Sequence, residues 1–416
     1  MNEKIRVGFV GLGQRSASYG MTDGSIGLIG NILNNCDAII TALSDIKIER
    51  IDFAVKRVMD KGFNKPFTSI DYNDLLDKSI VDVIIVSTNW AMHVEVAIKC
   101  MEKGIPVAIE VGGTHNLDDL WKLVDVYEKT NTPFMFLENC CYNIDEILVT
   151  SLVRNNKLGE ISYVEGGYCH DLRSEIIDVA MERGHYRFEE YKNYNCENYP
   201  THELGPIVKL LGITRGNKFT KLVSMSSKSI GLKEYLKNSL KYSYLDKINF
   251  KQGDVVNTLI ECENGIVVRL KLDTTLPRLY DRGLTVGGTK GFYSQTTKSV
   301  IIDGEYNHET TSYKDAFFNQ DKYYDYLSSD WKNITEEEKR AGHGGMDYIM
   351  LKHFINAVKN NKDMPIDVYE AAAMMSITAL SEESIKKGSI PVDVPDFTRG
   401  KYKIRKIVDV VELPKI

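Results

Sequence analysis

Tryptophan and proline are scarce in this chain of 416 residues, at 3 and 10. So few prolines exclude a proline-rich extended architecture. No apolar run approaches the roughly 20 residues that a membrane span needs. An excess of one charge is also missing: 52 Lys and Arg face 58 Asp and Glu, a net charge of −6. No predicted helix carries a basic stripe, which excludes an electrostatic footprint for nucleic acid. The basic clusters at 233–247 and 401–406 are interleaved with aromatic and aliphatic residues and read as solvated faces. The 7 cysteines lack paired spacing, and Cys140 beside Cys141 suits neither a CxxC motif nor a zinc site, so reduced, buried thiols are expected. The first residues, MNEKIRVGFVGLG, contain no apolar region of secretory length and no small-residue cleavage site. These absences together predict a cytoplasmic protein with no membrane and no nucleic-acid partner.

What remains is an ordinary globular composition, 43% hydrophobic and 26% charged, on a chain long enough for two or three domains. Up to about residue 140, strand and helix signals alternate. IRVGFVG, AIITALSD (38–45), VDVIIVST (81–88), IPVAIE and PFMFLEN read as strands, and HVEVAIKCMEKG and LDDLWKLVDVYEKT as helices. Strands spaced by helices of that length predict a doubly wound parallel sheet. Beyond about 145 the period changes to two, in EISYVEGGYCHDL, VVNTLIECENGIVVRLKLDTT and RGLTVGGTKGFYS. The predicted fold is therefore α/β. An N-terminal Rossmann domain (1–145) precedes an α+β domain (146–416) with a large, mostly antiparallel, open-faced sheet. Late helices at about 345–360 and 368–387 are expected to pack back towards the first domain, and 310–340 reads as an ordered surface excursion. An open sheet with an apolar outer face predicts a homo-oligomer.

Gly11 and Gly13 follow the first strand directly, where glycine permits a tight turn and close approach to a pyrophosphate resting on a helix N-terminus. The third small position of G-x-G-x-x-G is Ser16. Asp45 ends the second strand, placed to accept from an adenosine ribose and to repel a 2′-phosphate, so NAD is favoured over NADP. Thr88, Glu110 and Asn139 stand at three further strand ends, where ligands of open α/β sheets sit.

In the second half, Tyr168 and His170 are two apart on a strand and share a face. Ser162, Val164 and Gly166 precede them on that face and are small enough to leave room for a ligand. Tyr199 and His202 flank Pro200 and Thr201 at an apparent helix start, Arg187 lies twelve residues upstream, and Tyr280 follows a strand and a proline. His343, Asp347 and His353 could be imagined around a metal, but their spacing matches no common site; no metal is expected.

Taken together, GQR after the first strand, WAMH (90–93), EV (110–111), GYCHDLR, NYPTHELGP, LPRLY and GHGGMDY are specific. Over about residues 5–390 the chain resembles glycoside hydrolase family 109, a branch of the glucose–fructose oxidoreductase-like (Gfo/Idh/MocA) dehydrogenases. The resemblance implies an enzyme that holds NAD tightly and hydrolyses N-acetylgalactosaminides without net redox change. It implies NAD contacts at Gln14, Arg15, Asp45, Trp90 to His93, Glu110, Val111 and Asn139, and sugar contacts at Tyr168, Arg187, Tyr199 to His202 and Tyr280. The implied route is transient oxidation at sugar C3, loss of the C2 hydrogen with expulsion of the C1 substituent, water addition and re-reduction. His202 is then the candidate base for the C3 hydroxyl. Tyr168 and Tyr199 are candidates for proton transfer at C2 and at the leaving group, with His170 beside them. Three departures stand out: Glu203 occupies the position where the family usually has glycine, the loop after His170 is short, and the export signal of many members is not seen. The competing expectation is a simple NAD-dependent sugar dehydrogenase. Those enzymes resemble one another in an E-K-P motif, and the corresponding Glu110-Val111-Gly112 has no lysine.

Overall fold

The computed structural model describes residues 4–21, 24–307, 309–310 and 312–416. Six strands form one parallel sheet: β1 Ile5–Val10, β2 Ala38–Ser44, β3 Phe67–Ser69, β4 Val83–Val86, β5 Val107–Ile109 and β6 Phe134–Phe136. Their order is β3-β2-β1-β4-β5-β6, so the direction of winding reverses between β1 and β4. That reversal opens a crevice beyond the carboxyl ends of the strands. All four residues of β4 are buried, because helices cover both faces of the sheet. The helices of this half are α1 Gln14–Ala17, α2 Gly27–Asn35, α3 Ile48–Asp60, α4 Trp90–Glu102 and α5 Leu117–Thr130, followed by α6 Ile144–Arg154. β3, a three-residue edge strand with an exposed Phe67, has no counterpart among the sequence expectations.

The second sheet has eight strands: β7 Ile161–Cys169, β8 Phe219–Ser226, β9 Val255–Cys262, β10 Val267–Asp273, β11 Thr285–Gly288, β12 Gly291–Ser294, β13 Ser299–Ile302 and β14 Val392–Asp393. They run β13-β12-β11-β7-β10-β9-β8-β14. Every pairing is antiparallel except β7 with β10. In β9, buried Val256, Thr258, Ile260 and Cys262 alternate with outward Asn257 and Leu259, the period of a sheet covered on one face. Leu259, Met225 and Phe292 are exposed on this sheet.

The helix Val368–Lys386 packs against β8 of one sheet and against α5 and β6 of the other half. It is buried along most of its length for that reason and starts with a capping box from Asp367 and Glu370. The helix Met346–Lys359 lies against α2 and the short turn Asn139–Tyr142. The stretch 310–340, expected at the surface, consists of short helical turns. It also inserts Gln320, Tyr326 and Trp331 into the interior, where Trp331 Nε1 donates to the Tyr142 carbonyl at 2.9 Å. Residue 311 within it lies outside the described residues. No helix of the described residues is long and apolar enough to cross a membrane, and all seven cysteines are free.

Candidate active site

The crevice begins at the glycine turn. Gly11 has φ +89°, and a Cβ there would lie 2.5 Å from the Ser87 carbonyl oxygen. Only glycine permits that conformation and that approach. A Cβ on Gly13 would meet nothing within 4 Å, so the turn leaves open space on the side a dinucleotide would occupy. Ser16, the departure from glycine or alanine, is fully buried and donates from Oγ to the Gly11 carbonyl at 2.6 Å, tying the turn. Gln14 opens α1. Asp45, just past β2, accepts from the amides of Leu12 (2.8 Å) and Lys47 (2.9 Å), which fix its carboxylate beside the turn. Arg50 Nη1 also donates to Oδ2 at 3.5 Å, so Oδ1 keeps a lone pair for a further donor.

At the other strand ends, charged groups converge. Arg15 donates from Nε to Glu110 at 2.7 Å, and from Nη1 and Nη2 to the two oxygens of Asp347 at 2.6 and 2.8 Å. Asn139 Nδ2 donates to the same Asp347 at 2.8 Å. Burial works to raise the Asp347 carboxyl, but Arg15 and His343 beside it hold it well below the usual carboxylate range. Burial likewise pushes the Glu110 carboxyl up, against the pull of Arg15. The imagined metal trio is not assembled, because Asp347 pairs with Arg15 and His343 whereas His353 binds Asp330 at 3.0 Å. Val111 is buried and donates its amide to Glu110 Oε2 at 3.2 Å. Thr88 Oγ1 bonds the neighbouring Asn89 carbonyl. His93 is turned into the protein: it lies 3.1 Å from the Thr88 carbonyl, and burial pushes its pKa down to about 4, so it is a neutral donor. Trp90 starts α4, and its ring lies so close to Gly112 that any Cβ there would overlap it.

From Trp90 the aromatic residues lead directly to the second half. The Trp90 ring centroid is 5.5 Å from Tyr199 and 4.9 Å from Tyr186, and Tyr199 is 4.5 Å from Tyr168. Tyr280, half exposed in its loop, closes the group at 5.1 Å from His170 and 6.2 Å from Tyr168. The helix Thr201–Leu211 begins after Pro200, with Thr201 buried, and this start aims His202 at the cluster. His202 Nε2 is 3.3 Å from the Tyr199 hydroxyl, and Tyr168 places its hydroxyl 3.2 Å from His170 Nδ1. Burial raises the pKa values of Tyr168, Tyr199 and Tyr280, which keeps all three phenols protonated. Arg187 is only 7% exposed, with its guanidinium carbon 5.1 Å over the Tyr199 ring. Its Nη1 forms an ion pair with Glu175 at 3.2 Å without hydrogen-bond geometry, and its Nε makes no hydrogen bond. A desolvated cation with idle donors is costly unless an oxygen-rich ligand satisfies it.

Sequence reasoning missed the group that orients His202. Glu138 is fully buried and lies 2.8 Å from His202 Nδ1. Burial works to raise its carboxyl, but the adjacent imidazole and the Cys140 amide hold it below the usual range. An ionised carboxylate only accepts, so Nδ1 carries a proton towards Glu138 and Nε2 faces the Tyr199 hydroxyl. The nearest signal was an acidic residue ending the PFMFLE strand, read there through its neighbour Asn139. Glu138, Cys140 and His202 bring metal-type ligand atoms within 4.8 Å of one another, but the Cys140 sulfur already accepts from Arg282 at 2.7 Å. The space expected over Gly166 is also corrected: a Cβ there would overlap Glu203 Cγ, so a side chain fills it and not a ligand. Ser162 points to solvent. Glu203 takes the volume that glycine would leave free, and burial, with Glu146 nearby, pushes its carboxyl well up.

Residues 142–404 match the family model for the C-terminal domain of glycosyl hydrolase 109. An α-N-acetylgalactosaminidase of Tannerella forsythia is 34% identical over 428 aligned positions, covering 96% of this chain and 87% of that protein. The chain belongs to glycosyl hydrolase family 109. It is thus a glycoside hydrolase by family, and Tyr168, Arg187, Tyr199, His202 and Tyr280 all fall inside the matched segment. The fold is that of the Gfo/Idh/MocA dehydrogenases. A crystal structure of apo scyllo-inositol dehydrogenase from Lactobacillus casei superposes with a TM-score of 0.66 at 15% identity, covering 95% of this chain and 99% of that one. Levoglucosan dehydrogenase in complex with NADH and L-sorbose gives 0.67 at 16% identity, covering 95% and 100%. The crevice of this family 109 chain accordingly has the architecture of a nucleotide-cofactor site.

Proposed function

We propose that the chain hydrolyses N-acetylgalactosaminides or closely related glycosides, with NAD resident in the crevice and no net change of redox state. The name of the Tannerella forsythia relative and the NADH held by levoglucosan dehydrogenase support the two halves of this reading. Gly11, Gly13 and Asp45 fit the adenosine and pyrophosphate portion of a dinucleotide, and Arg15, Trp90, Glu110, Val111 and Asn139 fit the remainder. When bound there, NAD supplies reversible oxidation at sugar C3, which acidifies the C2 hydrogen and allows the C1 substituent to leave.

The protein's own groups orient the sugar and move protons. Arg187 offers its unpartnered Nε to sugar oxygens, and Tyr280 borders the opening. His202 Nε2, oriented by Glu138 behind the ring, takes the proton of the C3 hydroxyl. Tyr199, held protonated by burial, donates to the departing oxygen, while the C2 proton passes to the Tyr168–His170 pair, whose imidazole nitrogen accepts as the phenol relays its own proton. One observation carries this reading. The chain Glu138–His202–Tyr199 lies beside a buried, unsatisfied Arg187, and the carboxylates nearby are not free to act as a glycosidase pair. Glu138 sits behind the imidazole and Glu175 is tied to Arg187. The alternative, a net sugar dehydrogenase, lacks its lysine at Val111.

An aryl-glycoside panel run in deuterated water, with and without added NAD, tests the proposal. Aryl release with deuterium at C2 of the freed sugar is the expected result. Release without C2 exchange removes the elimination route, and NADH accumulating on free sugars installs the dehydrogenase in its place.

A further inference from the structure

Asp347 is the one acid on which the strand ends converge, and nothing in the route proposed above uses it. It arrives from the second half of the chain, 332 residues after Arg15, on the helix Met346–Lys359. The turn before it is built for delivery: Gly342, His343, Gly344 and Gly345 all have positive φ, at 113°, 45°, 67° and 102°. Four successive left-handed residues are costly except where three are glycine. A Cβ on Gly342 would lie 2.8 Å from Asp347 Oδ2, so the backbone passes tightly over the carboxylate. Ion pairs this buried seldom stabilise a fold more than apolar packing would, so their location carries the information.

We infer that Asp347 is a positioning residue for the nicotinamide half of the dinucleotide, fixing Arg15 and Asn139 directly and Glu110 through Arg15. This rests on the NAD reading of the crevice. The strand order separates the two halves of such a ligand. Asp45 at β2 lies on the adenosine side of the reversal, whereas Glu110 and Asn139, past β5 and β6, lie on the other. Asp347 grips the second side, together with the helix start at Arg15, and makes no bond to Asp45. Its loss must therefore loosen one half of the ligand and spare the other.

The test compares NAD with AMP, which carries only the adenosine half, by calorimetric titration of the full chain and of Asp347→Asn. NAD should bind the variant about tenfold more weakly or worse, with AMP affinity unchanged. Equal NAD affinity in both proteins overturns the inference. Equal weakening of NAD and AMP overturns it too, since that marks a general loss of packing between the halves. A parent protein that binds AMP and NAD equally poorly removes the NAD reading itself, a failure seen without any variant. Should Asp347→Asn not fold, His343→Gly, which deletes one bond to the same carboxylate at a positive φ that glycine tolerates and leaves the Arg15 pair, must show a smaller form of the same split. No split in that variant overturns the inference.

Discussion

Around Arg15 the charged groups are engaged, with Glu110 and Asp347 taking its donors; Arg187, stacked over Trp90 and more deeply buried, has one ion pair to Glu175 and keeps its Nε without a hydrogen bond. The first region is complete before any small molecule arrives, and the second is not. A saturated network gains little from each new contact and serves to hold groups in place, which suits a ligand that stays. An unsaturated one gains most when a polar ligand enters and loses it on departure, which suits a ligand that exchanges every turnover. On the proposed function, the contrast divides the site into a resident half and a visiting half.

The sharpest way to break that division is His202→Ala. It should lower kcat for an aryl glycoside by about 10²–10⁴-fold, while the NAD content of the purified protein, read by its absorbance after denaturation, stays at the parent value. Loss of the nucleotide as well would show that the halves are not separable. Glu138→Gln should cost about 100-fold in kcat, because an amide no longer fixes the proton on Nδ1. The same variant carries a signature in acid. The folded Glu138 carboxyl lies below its ordinary pKa, so its contribution to stability is present above that ordinary value and fades as pH falls through the lowered one. Thermal melts of the parent should therefore drop in acid more steeply than those of Glu138→Gln. Arg187→Lys keeps the charge and loses the planar fork, so KM should rise about tenfold with a smaller change in kcat. The smallest effect is expected at Glu197, two residues before Tyr199, whose carboxyl burial pushes from 4.5 up to about 8. A raised acid stabilises the fold fully below its ordinary pKa and loses that contribution as pH rises through about 8. Glu197→Gln should hold its melting temperature across that window while the parent declines by a few degrees.

Much of this arrangement was legible in the sequence because it depends on local periodicity or on compact motifs. Continuous apolar runs such as that of β4 marked the parallel sheet, and NYPTHELGP announced a helix start bearing Tyr199 and His202. The short edge strands β3, β13 and β14 left no trace, since two to four residues carry no measurable period. Glu138 was missed, and the partners of Asp347 and Glu203 were not foreseen, for another reason. Glu138 meets His202 across 64 positions, Asp347 meets Asn139 across 208, and Glu203 fills the gap above Gly166. Buried acids are recognised by their partners, and partners that far apart are set by tertiary packing alone. Read by itself, GHGGMDY looked like a poor metal motif; folded, its aspartate joins three strand ends.

The contact of Trp90 with Gly112 limits how this chain could change its chemistry. The indole occupies the volume that a methyl, and still more a pyrrolidine ring, would need at position 112, and it leans in turn on Tyr186 and Tyr199. Rebuilding an oxidoreductase's Glu-Lys-Pro there would mean evicting the indole first, and with it the wall of the sugar site. A single substitution at Gly112 collides with the indole, so the two motifs are more than one tolerated step apart.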